Sequence, residues 1–505
     1  MEWPWSSNVS SRPPTSDAVT TDASANRAAK SVMSPQYRSI TISTLTAISL
    51  SAFDGLGVTA VQSTIAGDLG RVRLLPWVFT AFTLTLTIAA LASGPLIDGL
   101  GLARVYRFTL VTFLLSSTAC CFAPTMETLI LARTVQGMGG GLVVAVALAA
   151  VGVTFPEHLR SRAFAANSTV WGVMSFAGPA LAAALVRTPL GWRAVFAVNI
   201  PLTLFAAFIG WNRLPGKREG ASVSFDLRGL VLLGLFLTLL LVGATEFNAN
   251  AVLPLSAALV VGGAYWRHAR RTASPILELR HLTEPPFAAI NIAVFLLFAG
   301  GLAVEGFVPF YVTGALGRSR EIAAFSVTFM ALGWTLASIV VSRLLDRISN
   351  TQVMLAGGLL TIPPLVVGLS VYGSTATPVA VVAAMSLLQG CGIGAVTNAG
   401  LTLLQRSADT TEMGRTSAAH QFLRNLGSTV GVAAVSGVLF GVVRHRVGDL
   451  EEIRPLLKGD DTEVSNLARS AIAAGYRASH IVSLVLSLGA VVFIVRLHRW
   501  AKRTL

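Results

Sequence analysis

The sequence predicts an all-α polytopic membrane protein made of two parallel six-helix repeats with two further helices between them. Three observations predict it. Fourteen apolar stretches run from Ile40 to Leu497, each near the roughly 20 residues a bilayer-spanning helix needs. Hydrophobic residues make up 53% and charged residues only 12%, against about 25% charged in a soluble domain. Strings in the first third of the chain also recur, in order, near the chain's second half. GDLGR (Gly67 to Arg71) returns as GALGR (Gly314 to Arg318), and QGMGGG (Gln136 to Gly141) as QGCGIG (Gln389 to Gly394).

Taken in order, residues 1–37 are rich in Ser, Thr, Pro and Ala, hold no apolar run and read as a disordered cytosolic tail, with Met33 a second candidate start. The first apolar segment, 40–65, is too long for a signal peptide and carries no cleavage site. The segments that follow lie near 77–97, 105–123, 127–153, 163–186, 194–212, 227–246, 251–267, 286–313, 322–342, 352–372, 377–404, 416–443 and 478–497. Most connections are short. The exceptions are a basic stretch around Arg267 to Pro286 and a loop from Arg444 to Arg477, whose mixed charges are expected to keep it in water.

Between the first four segments and the ninth to twelfth, Thr80, Thr87, Leu96 and Asp98 recur as Thr328, Thr335, Leu344 and Asp346. Eight helices separate the copies, an even number, so both have one orientation. The expected domains are a first bundle over 38–215, two inserted helices and a linker over 216–285, a second bundle over 286–497 and a cytosolic tail over 498–505. Small residues recurring at packing surfaces would explain the shared glycines but not Gln136 and Gln389, or Asp98 and Asp346.

Of the 38 Lys and Arg, helix counting puts 24 on one side and 12 on the other, leaving Arg133 and Arg424 within segments. This positive-inside bias places both termini in the cytoplasm and accounts for the +14 net charge better than a nucleic-acid surface does. Cys120, Cys121 and Cys391 lie inside apolar segments and read as small buried hydrophobes, with no disulfide framework or metal set. No GxxxxGK[ST], HExxH or GxSxG string occurs, so neither ATP drive nor enzyme chemistry has a motif behind it, and no cofactor is expected.

A charge within a spanning helix is costly unless it faces a partner or a wet cavity, so such residues mark internal sites. Asp54, mid-way along the first segment, is the candidate proton carrier, since desolvation raises a carboxyl pKa and a nearby Arg lowers it. A structural hydrogen bond to a neighbouring helix is the competing reading. Arg133 in the fourth segment is the expected partner charge, with Gln136 beside it and Gly137 one turn on, where a glycine admits a second helix. A charge latch that only holds helices together is the alternative. Glu305, in the ninth segment, is a second proton site or a counter-ion, or else a hydrated residue at the rim. Gln136 and its repeat Gln389 are expected to line the substrate cavity. Arg424 reads as a snorkelling side chain.

Three sets of residues read as gating elements. Asp98 with Gly101 and Arg104, in GPLIDGLGLAR, would latch the cytosolic side by salt bridge. Gly172, Gly178 and Pro179 form a small-residue strip with a kink in the fifth segment. Gly137 lets helices slide at close approach.

Together these residues resemble the major facilitator superfamily, and within it the fourteen-helix drug:proton antiporters, over nearly all of 40–497. Gly94, Leu96, Asp98, Gly101 and Arg104 match the loop pattern after helix two, although Gly99, Leu102 and Ala103 stand where basic residues are usual. Arg133, Gln136 and Gly137 match the helix-four pattern. Gly172, Gly178 and Pro179 match the helix-five antiporter signature, with Ala182 and Ala183 replacing glycines. Asp54 keeps the acid of helix one, and Gly191 to Arg193, Phe196, Asn199 and Pro201 resemble the passage into helix six. The resemblance implies a proton-coupled efflux carrier of amphipathic or lipophilic small molecules in the plasma membrane, working by alternating access as a monomer. A lipid or metabolite exporter, an importer, or a non-transporting membrane sensor are the alternatives.

Overall fold

The protein is described by a computed structural model that covers residues 31–504 apart from 217–224, 246–250, 274, 346, 408–412 and 459–464. Each of the fourteen apolar segments is helical: α1 (Arg38–Leu69), α2 (Leu75–Leu100), α3 (Leu102–Cys121), α4 (Met126–Thr154), α5 (Glu157–Val186), α6 (Arg193–Gly210), α7 (Leu227–Thr245), α8 (Val252–Ala269), α9 (Phe287–Gly314), α10 (Arg320–Leu344), α11 (Asn350–Val371), α12 (Val379–Ser407), α13 (Met413–Val447) and α14 (Ser465–Thr504). Among the described residues, ten of them are long and apolar enough to cross a membrane, eleven with α1, which bends by 42° between Gly55 and Gly57. The other three, α3, α5 and α8, are helices of 20, 30 and 18 residues with weaker apolar windows.

Lipid offers no hydrogen bonds, so a spanning helix must satisfy its own polar groups. Hydroxyls here turn back onto the preceding turn: Thr44 donates to the Ile40 carbonyl at 2.8 Å, Ser116 to Thr112 at 2.7 Å and Thr203 to Asn199 at 2.6 Å. Ends that reach water use caps. Thr125 and Thr128 close a capping box at the start of α4, and Ser349 and Gln352 do so at α11.

The duplication is visible in packing. A methyl group built on Gly137 would strike the Phe82 carbonyl and the Thr85 hydroxyl, and one on Gly390 the Met330 carbonyl. One turn further, Gly141 meets the Leu86 carbonyl and Gly394 that of Trp334. Thus α4 seats on α2, and α12 on α10, through glycines at matching positions.

Arg38 and the C-terminal end of α14 lie toward one face, called here the terminal face, and the α1–α2 turn lies at the far face. One apolar core joins the two halves at the far face, from Val61, Ile65 and Trp192 to Phe310, Leu439 and Ile472. Toward the terminal face each half also has a core of its own, around Tyr106 and Val146 in one and Ile290 and Ile494 in the other, and a fourth core ties α2 and α13 of the two halves to the inserted α7 and α8 through Leu91, Leu237, Tyr265 and Phe422. Polar contacts between the halves also gather at the far face. Ser63 Oγ meets Thr313 Oγ1 at 3.3 Å, Gln62 donates to the Gly306 carbonyl, and Arg187 pairs with Glu321 at 3.6 Å.

The stretch Arg444 to Arg477 is only partly the loop in water that its charges suggested, and its Asp460, Asp461 and Glu463 lie outside the described residues. Leu450–Ile453 and Arg454–Lys458 are short helical turns whose Leu450, Ile453, Leu456 and Leu457 enter the far-face core. The last helix begins at Ser465 rather than near 478, because Arg469 and Arg477 lower the hydropathy of an alanine-rich stretch that nevertheless buries Ala468, Ala471 and Ile472.

Candidate transport site

Five helices, α1 to α4 and α6, meet in a polar cluster around Asp54. Its position half-way along α1, just before the bend, sets it opposite Arg133, which lies two turns into α4. Arg133 donates through Nη1 to Asp54 Oδ2 and to Gln136 Oε1, the latter at 2.7 Å, and through Nε to the Val78 carbonyl of α2 at 3.2 Å. Gln136 Nε2 donates to Asp54 Oδ1 at 3.0 Å and to Ser117 Oγ of α3 at 2.9 Å. Asn199 of α6 adds a donor to Oδ1 at 3.3 Å, and the Cys120 thiol one to Gln136 Oε1 at 3.4 Å.

Asp54, Gln136 and Asn199 are wholly buried and Arg133 is 1% exposed. The guanidinium carbon sits 3.9 Å from the centroid of the Phe82 ring and 5.8 Å from that of Phe196. Removing two charges from water costs several kcal/mol per ion, which their attraction and further hydrogen bonds must offset. Here both carboxylate oxygens have donors, and two rings face the cation. Such a pair can exist ionised in a dry interior, and any change of charge on Asp54 must be felt by Arg133.

The second half lacks this pair. The repeat sets Gly301 at the place of Asp54 and Ser386 at that of Arg133, while Gln389 stands for Gln136. Gln389 Nε2 does lie against Gly301, where a methyl group would collide with it. The nearest acid is Glu305, one turn on, which is buried beside Ser386 with 9% of its surface exposed. Behind it Tyr311 and Tyr476 stack at 4.7 Å between ring centroids, with Tyr372 edge-on to both at 5.3 and 5.1 Å.

The gating candidates are scattered. Gly172 is half-buried on α5, and a methyl group built on it would come to 4.0 Å from the Thr335 methyl of α10, so it faces the other half. Gly178 and Pro179 are buried in the same helix. A mostly apolar groove of about 470 Å³ follows this seam at the far face, lined by Ala183, Phe325, Phe329 and Ala383 and by the Arg187–Glu321 pair. Arg104 is exposed at the start of α3, and Arg107 instead holds Trp211 and Asn212, each at 2.9 Å. The side chain of Asp98 and all of Asp346 lie outside the described residues. Arg424 does not snorkel clear of the bundle: it is half-buried, 5.5 Å from the Phe298 ring.

Sequence reasoning found Asp54, Arg133 and Gln136 as polar residues in apolar helices. Ser117 and Phe82 carry no signal among many similar residues, Cys120 reads from sequence as a small buried hydrophobe only, and Asn199 stands out only in the turn into helix six.

The profile of the Major Facilitator Superfamily matches residues 42–432. The chain belongs to that superfamily. Among its relatives is the multidrug transporter protein MdtP of Bacillus subtilis, 28% identical over 84% of this chain and 78% of that protein. The riboflavin transporter RibZ of Clostridioides difficile is 25% identical over 77% of this chain and 85% of its own length. Among solved structures, a bacterial homologue of the human lysosomal transporter Spinster, inward-facing and unoccupied, superposes with a TM-score of 0.66 at 16% identity, over 92% of this chain and 98% of that one. This superfamily member is a multi-pass membrane transporter and not an enzyme.

Proposed function

We propose that this transporter exports amphipathic or lipophilic small molecules in exchange for protons, with Asp54 the proton carrier and Arg133 the charge that responds to it. The observation that carries the reading is the buried Asp54–Arg133–Gln136 cluster between α1 and α4. Antiport needs a group whose protonation and substrate occupancy exclude each other, and a carboxylate already shared by three donors meets that need. In this reading the bundles 38–215 and 286–497 rock against each other around the inserted 216–285 unit. The terminal face, which carries most of the Lys and Arg, is cytoplasmic, so the far-face core closes the outside. Glu305 serves as a second coupling group and Gln389 lines the cavity. The α5 strip with Gly172, Gly178 and Pro179, close helix contact at Gly137, and Asp98 with Arg104 act in alternation.

The test is proton release on substrate addition in weakly buffered detergent solution, together with dye accumulation in proteoliposomes under an imposed pH gradient. Wild-type protein is expected to release protons and concentrate dye, and Asp54→Asn to do neither while still binding a neutral dye. Equal proton release from the two proteins removes Asp54 as the carrier. The likeness to RibZ supports a second reading, a metabolite carrier, so riboflavin belongs in the panel of fluorescent substrates.

A further inference from the structure

We infer that Glu305, Ser386 and Gln389 form a binding site for a sodium-sized monovalent cation in the second half. Three independent observations lead there.

The first is the path of α9. It runs as an α-helix over Phe287–Leu297, widens to a π-helical turn over Phe298–Leu302, resumes as Ala303–Glu305, breaks at Gly306 and Phe307 and restarts as Val308–Gly314. Pro309 has no N–H to offer the Glu305 carbonyl four residues back. In transporters, unwound stretches of this kind supply main-chain oxygens to coupling ions, and π-helical turns gather at functional sites.

The second is the charge balance. A carboxyl buried in a bundle is accommodated either protonated or, when ionised, beside a counter-charge. Asp54 has Arg133, but among the described residues no Arg, Lys or His pairs with Glu305. The repeat shows why, since Ser386 stands where the guanidinium-bearing residue stands in the first half.

The third is the set of oxygens around it. Ser386 faces the carboxyl, yet its hydroxyl closes no hydrogen bond of good geometry. Both amide atoms of Gln389 are buried without partners, as is the Tyr476 hydroxyl, within electrostatic reach of Glu305 on α14. In the first half the same glutamine is satisfied by a carboxylate and a guanidinium at once. In the second, a cation held between Glu305, Ser386 Oγ and Gln389 Oε1 would restore the missing charge with hard oxygen ligands. Such ligands suit a small hard cation rather than a transition metal.

Binding is read without transport, so its outcome stands apart from that of the proton-exchange reading. Purified full-length protein is unfolded thermally at alkaline pH in sodium chloride titrated against choline chloride at constant ionic strength. A ligand that binds only the folded protein raises its midpoint with concentration. The expected result is a saturable upward shift in sodium, absent in choline, lost in Glu305→Gln and weakened in Gln389→Ala, but retained in Asp54→Asn. If Glu305→Gln does not purify as a monodisperse protein, Gln389→Ala decides alone. A wild-type midpoint that sodium does not move, or a sodium shift undiminished in both second-half variants, overturns the site.

Discussion

At the scale of single residues, Arg133 serves stability and mechanism at once. Its three hydrogen bonds and two ring contacts are made where no water replaces them, so Arg133→Ala leaves the buried Asp54 carboxyl without its counter-charge. Breaking a buried pair from one side costs about 3–5 kcal/mol. The variant should therefore unfold at a clearly lower temperature as well as lose coupled transport. Arg133→Lys supplies a point charge in place of a planar fork and should recover part of the stability and little of the coupling. Replacing both partners removes the orphaned charge, so Asp54→Asn with Arg133→Gln should be more stable than Arg133→Ala and still uncoupled. Thermal unfolding of the three purified variants beside dye uptake separates the two roles. A double variant no more stable than Arg133→Ala would mean that packing, not charge, holds the cluster.

At the scale of helices, the repeat makes a paired prediction. Gly137→Leu and Gly390→Leu each drive a side chain into a neighbouring main chain, an overpacking that costs about 1–3 kcal/mol, and matching positions should show similar losses of thermal stability. A second element-level prediction concerns the linker after α8. Asp226, just ahead of α7, accepts from the Gly229 amide at 2.8 Å and the Ile276 amide at 3.2 Å and meets His268 at 2.7 Å. Burial works to raise its carboxyl pKa, but these partners outweigh it and hold the group below the usual carboxylate range. A pKa lowered by folding adds stability above the unfolded value that is lost as pH falls through the folded one. Acidification through that range, or Asp226→Asn at neutral pH, should free the Ile276 amide, seen as faster hydrogen exchange after correction for intrinsic rate. The fourteen helices and their duplication were legible because hydropathy and glycine spacing are local properties. The break in α9 was not, since Gly306 and Pro309 sit inside an unbroken apolar run. Nor was the docking of 450–458, where charged residues alternate with the buried leucines. The Asp54 cluster was legible only as far as its charges, because a neutral Ser117 or Asn199 in an apolar helix looks the same whether it bonds to its own backbone or across the bundle.

At the scale of the whole molecule, closure of the far face rests on the core it shares and on a clamp between the halves. The segment after α13 reaches over to the end of α1. Arg454 donates through Nε to the Gly67 carbonyl at 2.9 Å and through Nη2 to that of Asp68 at 2.7 Å, while Glu451 accepts from the Val72 amide at 2.9 Å. The guanidinium thus meets carbonyls at the C-terminal end of a helix, where the backbone is richest in negative partial charge. Gly70 lies beneath it with φ +69, and even a methyl there would come within 2.9 Å of the guanidinium. These contacts exist only while the halves meet at this face, so they favour one state of the cycle over the other. A hydrogen bond to a charged group is worth about 1.5–3 kcal/mol, and a change of 1.4 kcal/mol moves an equilibrium about tenfold. Arg454→Ala should therefore shift the population toward the state open at the far face by about tenfold or more, with the fold unchanged, since the clamp lies outside both bundle cores. A cysteine placed at Ser63, which faces Thr313 across the closed seam, reports the shift. It should react with a membrane-impermeant maleimide faster in the Arg454→Ala background than in its absence, and Glu451→Gln should give a smaller change of the same sign. Unaltered labelling in both backgrounds would assign closure to the apolar core alone.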